Sequence, residues 1–141
     1  MTRALVLLAF LFAAGCDLIP QTDGQVHPGN STPVQFVLQR DDLTALQVIV
    51  PLPAGWTITD CNHDAGVTGG AFSFVRVSGS AAPLPADVMT CALNVPADAE
   101  PGSWSIPVDA RGAMLVTDQD GFGAIVSVEL QAMAIGLEVA E

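Results

Sequence analysis

The chain has 141 residues, enough for one domain with a substantial core, and half of them are hydrophobic. Four arginines, no lysine and fifteen acidic residues give it a formal charge of −11. A surface of that sign repels nucleic acid and anionic lipid headgroups, so nucleic-acid binding is excluded as a function class.

The first fifteen residues have the three parts of a secretory signal: Arg3 as the positive start, an apolar stretch from Leu5 to Ala14, and small residues at Ala13-Ala14-Gly15. The apolar stretch is about ten residues, half of the roughly 20 that a membrane-spanning helix needs. Leu11-Phe12-Ala13-Ala14-Gly15-Cys16 resembles the lipobox of bacterial lipoproteins, with Ala13 where leucine is most common. The resemblance implies cleavage before Cys16 and lipid attachment at Cys16. An ordinary signal peptide cut nearby, with Cys16 an incidental thiol, is the alternative. Two or more acyl chains on Cys16 would anchor the protein to a membrane durably. The part beyond the signal has three arginines against fifteen acidic residues, a formal charge of −12.

Residues 16–32 read as lipid anchor and flexible tether, because Pro20, Gly24, Pro28, Gly29 and Asn30 stand among polar residues without periodicity. The domain proper is expected over residues 33–141. Val34, Phe36 and Leu38 alternate with Gln35, Val37 and Gln39, which predicts a strand over Val34–Arg40. Asp41-Asp42 makes a turn, and Leu46, Val48 and Val50 mark a second strand ended by Pro51, Pro53 and Gly55. Trp56–Cys61 is a short third strand, Asn62–Gly70 a loop, and Ala71–Ser78 a strong strand. After the Pro- and Ala-rich stretch Ser80–Asp87, Val88–Val95 places Met89, Cys91, Leu93 and Val95 on one face, pointing Cys91 at the core. Trp104, Ile106 and Val108 alternate with Ser103, Ser105 and Pro107, and Pro107 indicates an edge or a strand end. Ala113–Thr117 is a strand closed by Asp118-Gln119-Asp120-Gly121, and Ile125–Ala132 with Ala134–Val139 forms one bent strand or two short ones. Eight or nine short strands with regular turn signals, and no helical stretch, predict an all-β antiparallel sandwich.

Cys61 and Cys91 remain as an even pair once Cys16 is set aside, which outside the reducing cytoplasm predicts a disulfide. The alternative is two separate buried thiols. Cys61-Asn62-His63-Asp64 is the one cluster with a chemical look, since a histidine can activate a thiolate or share a zinc ion with it. The only other histidine, His27, lies in the expected tether, so a disulfide cysteine beside a polar loop accounts for the cluster better, and no catalytic residue is assigned. Asp118 and Asp120 before Gly121 are weak calcium candidates, lacking the later bidentate glutamate of an EF-hand; an Asp-Gly hairpin turn explains the same residues. Trp104 falls on the apolar face of its strand. Trp56, just after Gly55, is read first as a core residue, with stacking on a sugar ligand as a weak alternative. No cofactor is expected.

The order of these pieces resembles the cohesin family and its relatives over Pro33–Val139. The resemblance is best in VMTCALNVPADAEPGSWSIPVDARGAMLVTDQDG, from Val88 to Gly121, and extends to VQFVLQ and LQVIV near the start. Two departures are a shorter middle and the expected disulfide. The resemblance implies a jelly-roll sandwich that binds protein, dockerin modules in the cellulosome case. The expectation is therefore a non-enzymatic, lipid-anchored module of the bacterial cell envelope, binding a protein or a surface polymer. A jelly-roll carbohydrate-binding module is the second expectation.

Overall fold

The structure is a computed structural model that describes residues 15–79, 82–117, 120–121 and 123–141; of the expected signal segment 1–15, residues 1–14 lie outside the described residues. Twelve strands are described and no helix. They are β1 (Leu18–Gln21), β2 (Gln25–Val26), β3 (Ser31–Leu38), β4 (Ala45–Pro51), β5 (Thr57–Thr59), β6 (Gly66–Thr68), β7 (Ala71–Val77), β8 (Asp87–Asn94), β9 (Gly102–Ile106), β10 (Asp109–Thr117), β11 (Gly123–Glu129) and β12 (Ile135–Val139). The count exceeds the expected eight or nine. The additions are three short pieces: β1 and β2, which draw their pairing from distant strands, and β6, which pairs with the adjacent β7.

The strands form a two-layer sandwich. One layer is the five-stranded sheet β11-β10-β4-β7-β6. The other joins the four-stranded sheet β1-β3-β8-β5 to the three-stranded sheet β2-β12-β9. The junction is a bridge between Leu18 and Ala132, with the Met133 N–H donating to the Leu18 carbonyl. All ladders between strands are antiparallel except β2 with β12. The expected alternation holds: Val34, Phe36 and Leu38 of β3 and Leu46, Val48 and Val50 of β4 are all buried. The layers lock through aromatic rings, with Phe36 of one layer 5.3 Å from Phe74 and 6.4 Å from Phe72 of the other.

The prolines sit where a missing N–H does least harm. Pro20 is in β1, an edge of its sheet. Pro33 is in β3 beyond the reach of β1, whose pairing covers only Gln35 to Leu38. Pro107 follows directly on β9, which is both ended there and an edge. The C-terminal stretch resolves into two strands in different layers, β11 and β12.

The expected tether is corrected. Residues 18–21 and 25–26 are strands of the body, with Leu18 fully buried and Val26 nearly so. The Asp17 and Leu18 N–H groups both donate to the Gln131 carbonyl, the Gln131 N–H returns to Asp17 Oδ2, and the Gln39 N–H donates to the Asp17 carbonyl. Proline and glycine made this segment look like spacer, yet every strand in it is only two to four residues long and is stabilised by partners more than a dozen residues away.

Candidate interaction face

Cys61 and Cys91 are bonded to each other, and Cys91 lies on the buried face of β8. This removes Cys61 as a nucleophile or metal ligand. His63 has a different partner: Arg76 Nη1 donates to His63 Nδ1 at 2.8 Å, which leaves the ring hydrogen on Nε2. Arg76 occupies an inward position of β7, and its Nε is enclosed without a hydrogen-bond partner among the described residues. Among the described residues no group of three or more His, Cys, Asp and Glu side chains gathers as a metal site would require. Of the calcium candidates, Asp118 lies outside the described residues, and Asp120 is exposed in the turn between β10 and β11.

Trp56 is corrected as a sugar-stacking candidate. It is 4 % exposed and packs against Trp104 with ring centroids 4.8 Å apart. The local chain dictates this. The Trp56 N–H donates to the Pro53 carbonyl, closing a turn whose Gly55 has φ +84°, a conformation glycine adopts without strain. The turn delivers the indole into the core instead of presenting it. Trp104 is half-buried and donates its Nε1–H to the Glu100 carbonyl at 2.9 Å. Phe36, Phe72 and Phe74 are buried. Every aromatic ring among the described residues is thus wholly or partly enclosed.

What the body does present is the outer face of the five-stranded sheet. Pairing sets side by side Val77, Ala45 and Ala113, then Val75, Gln47 and Arg111, then Ser73, Ile49 and Asp109. On the far side of β10 stand Ile125, Ser127 and Glu129, opposite Leu115, Ala113 and Arg111. One half of this face is apolar, around a shallow hollow of about 270 Å³ between Ala45, Val77, Ala113, Leu115 and Ile125. The other half is polar, with a hollow of similar size between Gln47, Ile49, Asp109 and Arg111. Reading the sequence for chemistry missed these residues. The available signal was that Val75 and Ile125-Val126 break the alternation, placing large aliphatic side chains on both sides of their strands.

Arg40 and Asp42 form an exposed bidentate pair, Nε to Oδ1 at 2.9 Å and Nη2 to Oδ2 at 2.8 Å. The guanidinium holds the Asp42 carboxyl below its ordinary value, chiefly through these hydrogen bonds. The stabilisation is therefore complete above the ordinary carboxylate value of 3.8 and fades as pH falls through the lower value in the folded protein. Because the pair is at the surface, Asp42→Asn is expected to lower stability by less than about 1 kcal/mol at neutral pH. Urea melts at neutral and strongly acid pH check it, since the difference between variant and parent should vanish in acid.

No known protein-family model matches the chain, and no curated protein matches it.

Proposed function

We propose that the chain is a lipid-anchored, non-enzymatic binding module of the bacterial cell envelope, a cohesin-like jelly-roll domain that grips another protein through the outer face of its five-stranded sheet. The observation that carries the choice of a protein partner is the make-up of that face. Aliphatic Val75, Ile49 and Ala113 alternate with Gln47, Asp109 and Arg111, a mixed surface suited to a protein interface. The competing reading, a carbohydrate-binding module, calls for an aromatic platform, and the described aromatic rings are turned inward. The disulfide supports an oxidising compartment. The lipobox-like residues before Cys16 support the anchor, and Cys16 carries a free thiol available for acylation. The absence of a catalytic role rests on Cys61 being bonded and His63 being engaged by Arg76. A dockerin-like module is the partner class that the family resemblance implies.

The anchor is tested by intact mass of the membrane-extracted protein, expected to show an acylated Cys16 at the mature N-terminus. Binding is tested by placing a photo-crosslinking residue at Ile49 in cells. A discrete protein adduct is expected there, lost when Arg111→Glu reverses the only cation of the hollow. Retention on a glycan panel with no protein adduct would replace this reading with the carbohydrate one.

A further inference from the structure

The hairpin of β10 and β11 outruns the sheet that carries it. β4 accompanies β10 only as far as the Ala45–Ala113 pair. From there to Thr117 and Gly123 the two strands pair, among the described residues, only with each other. Four residues of overhang project about 13 Å at strand rise. Both sides of it are apolar and open: Leu115 (41 % exposed) and Ile125 (75 %) on the outer face, Val116 (44 %) and Val126 (43 %) on the inner. Val77, 65 % exposed, stands beside its base. Residues 112–117 and 123–128 carry no charged side chain, in a chain that is otherwise strongly acidic.

The overhang points the way Cys16 does. Leu18, two residues after Cys16, pairs with Leu38 at the end of β3. The next residue, Gln39, donates its N–H to Asp17, and the connection that follows ends at Thr44, whose N–H donates to the Ala113 carbonyl. Cys16 and the base of the overhang therefore share one end of the sandwich. No spacer separates them from the anchor. Two residues of chain reach about 7 Å, and Asp17 is already bonded into the body. A lipid on Cys16 would thus hold this end of the sandwich against the bilayer, and the bilayer would be the first surface that the bare hairpin meets.

We propose that the β10–β11 overhang is a second membrane contact, which seats Leu115, Val116, Ile125 and Val126 in the headgroup boundary of the same bilayer that holds the Cys16 lipid. The inference rests on the lipid-anchor reading above. Asp120, exposed in the turn, keeps the contact shallow, within the outer ~5–10 Å that interfacial segments occupy. The acidic body selects a zwitterionic lipid surface over an anionic one. A second copy of the chain is the other occupant of this apolar surface to consider, and pairing two bodies of the same strong negative charge opposes it. The protein-binding hollow at Ile49 lies four residues further along β4, about 13 Å from Ala45, and so stays clear of the lipid.

The test uses the acylated protein reconstituted into phosphatidylcholine vesicles, after intact mass has verified the lipid on Cys16. With Cys61 and Cys91 bonded to each other and Cys16 acylated, Ile125→Cys supplies a single thiol for an environment-sensitive fluorophore. Spin-labelled lipids with the quencher near the headgroup are expected to lower its emission at least about twofold, as burial at the headgroup boundary requires. Leu115→Cys provides a second reporter and should behave alike. Val67→Cys is the control: Val67 is 65 % exposed but pairs with Phe72 and, through it, aligns with Val50 at the opposite end of the sheet, so its label should be unaffected. An acylated protein whose labels at 115 and 125 are quenched no more than that at 67 overturns the second contact and leaves the anchor standing. Crosslinking of those two positions between copies would assign the surface to a dimer and overturn it as well. A Cys16 without lipid overturns both.

Discussion

A body that begins at Pro33, with residues 16–32 removed, will lose a large part of its folding stability. Leu18 and Val26 are core residues, and burying each contributes about 1.5–3 kcal/mol. Their loss also strips β1 from β3 and β2 from β12, opening the seam that joins the two sheets of one layer. Burial of these two side chains alone accounts for about 3–6 kcal/mol, against a total of about 5–15 kcal/mol for a domain of this size. Urea unfolding of the Cys16→Ser mature form and of the shortened form, followed by tryptophan fluorescence, measures the loss; Trp56 and Trp104 report because their rings pack against each other, 4.8 Å apart. A shortened body within about 1 kcal/mol of the parent would restore the spacer reading. The single change Leu18→Ala should cost about 2–5 kcal/mol, the range for truncating a buried leucine.

The second large effect comes from removing the disulfide. Cys61→Ala with Cys91→Ala opens a crosslink of sequence separation 30. On the chain-entropy account this costs about 3–4 kcal/mol. The bond joins β8, at the heart of one layer, to the segment just after β5, which pairs with β8 through only three residues. The expected local consequence is that β5 frays first and that His63 leaves Arg76. Urea melts of the double variant, and of the parent in reductant, should agree. A loss below about 1 kcal/mol in both would mean that the folded body constrains this segment without the bond.

Several features were legible because they depend on neighbours in sequence. Strict alternation in Val34–Leu38, Leu46–Val50 and Met89–Val95 assigned both the strands and their buried faces, since successive side chains point to opposite sides of a sheet. Two cysteines, one pointed at the core by that alternation, gave the disulfide. Pro107 marked both an edge and an end, because a residue without an N–H cannot serve a central ladder. The segment 17–32 was misread for the converse reason. Leu18–Gln21 and Gln25–Val26 are too short to show a period, and what buries them is β3 and β12, strands that lie up to more than a hundred residues away.

The same division separates the candidate faces. That Val75 and Ile125 would stand outward followed from their phase relative to Phe74 and Val128, but whether an outward side chain is covered depends on what the fold lays over it. Trp56 shows the reverse case. Its position after Gly55 left an exposed platform open beside the core reading, and the turn closed on Pro53 decides for the core by rotating the ring onto Trp104.

Chain-local chemistry by itself determined that this protein is all-β and that its second and third cysteines pair. Only the tertiary structure decided that the body starts at Leu18, that a mixed face on one sheet lies open, and that a bare apolar hairpin projects from the end where Cys16 emerges. Period and composition act between adjacent residues, whereas which edge is covered, and which end two distant segments share, are set when strands far apart in the chain find their register.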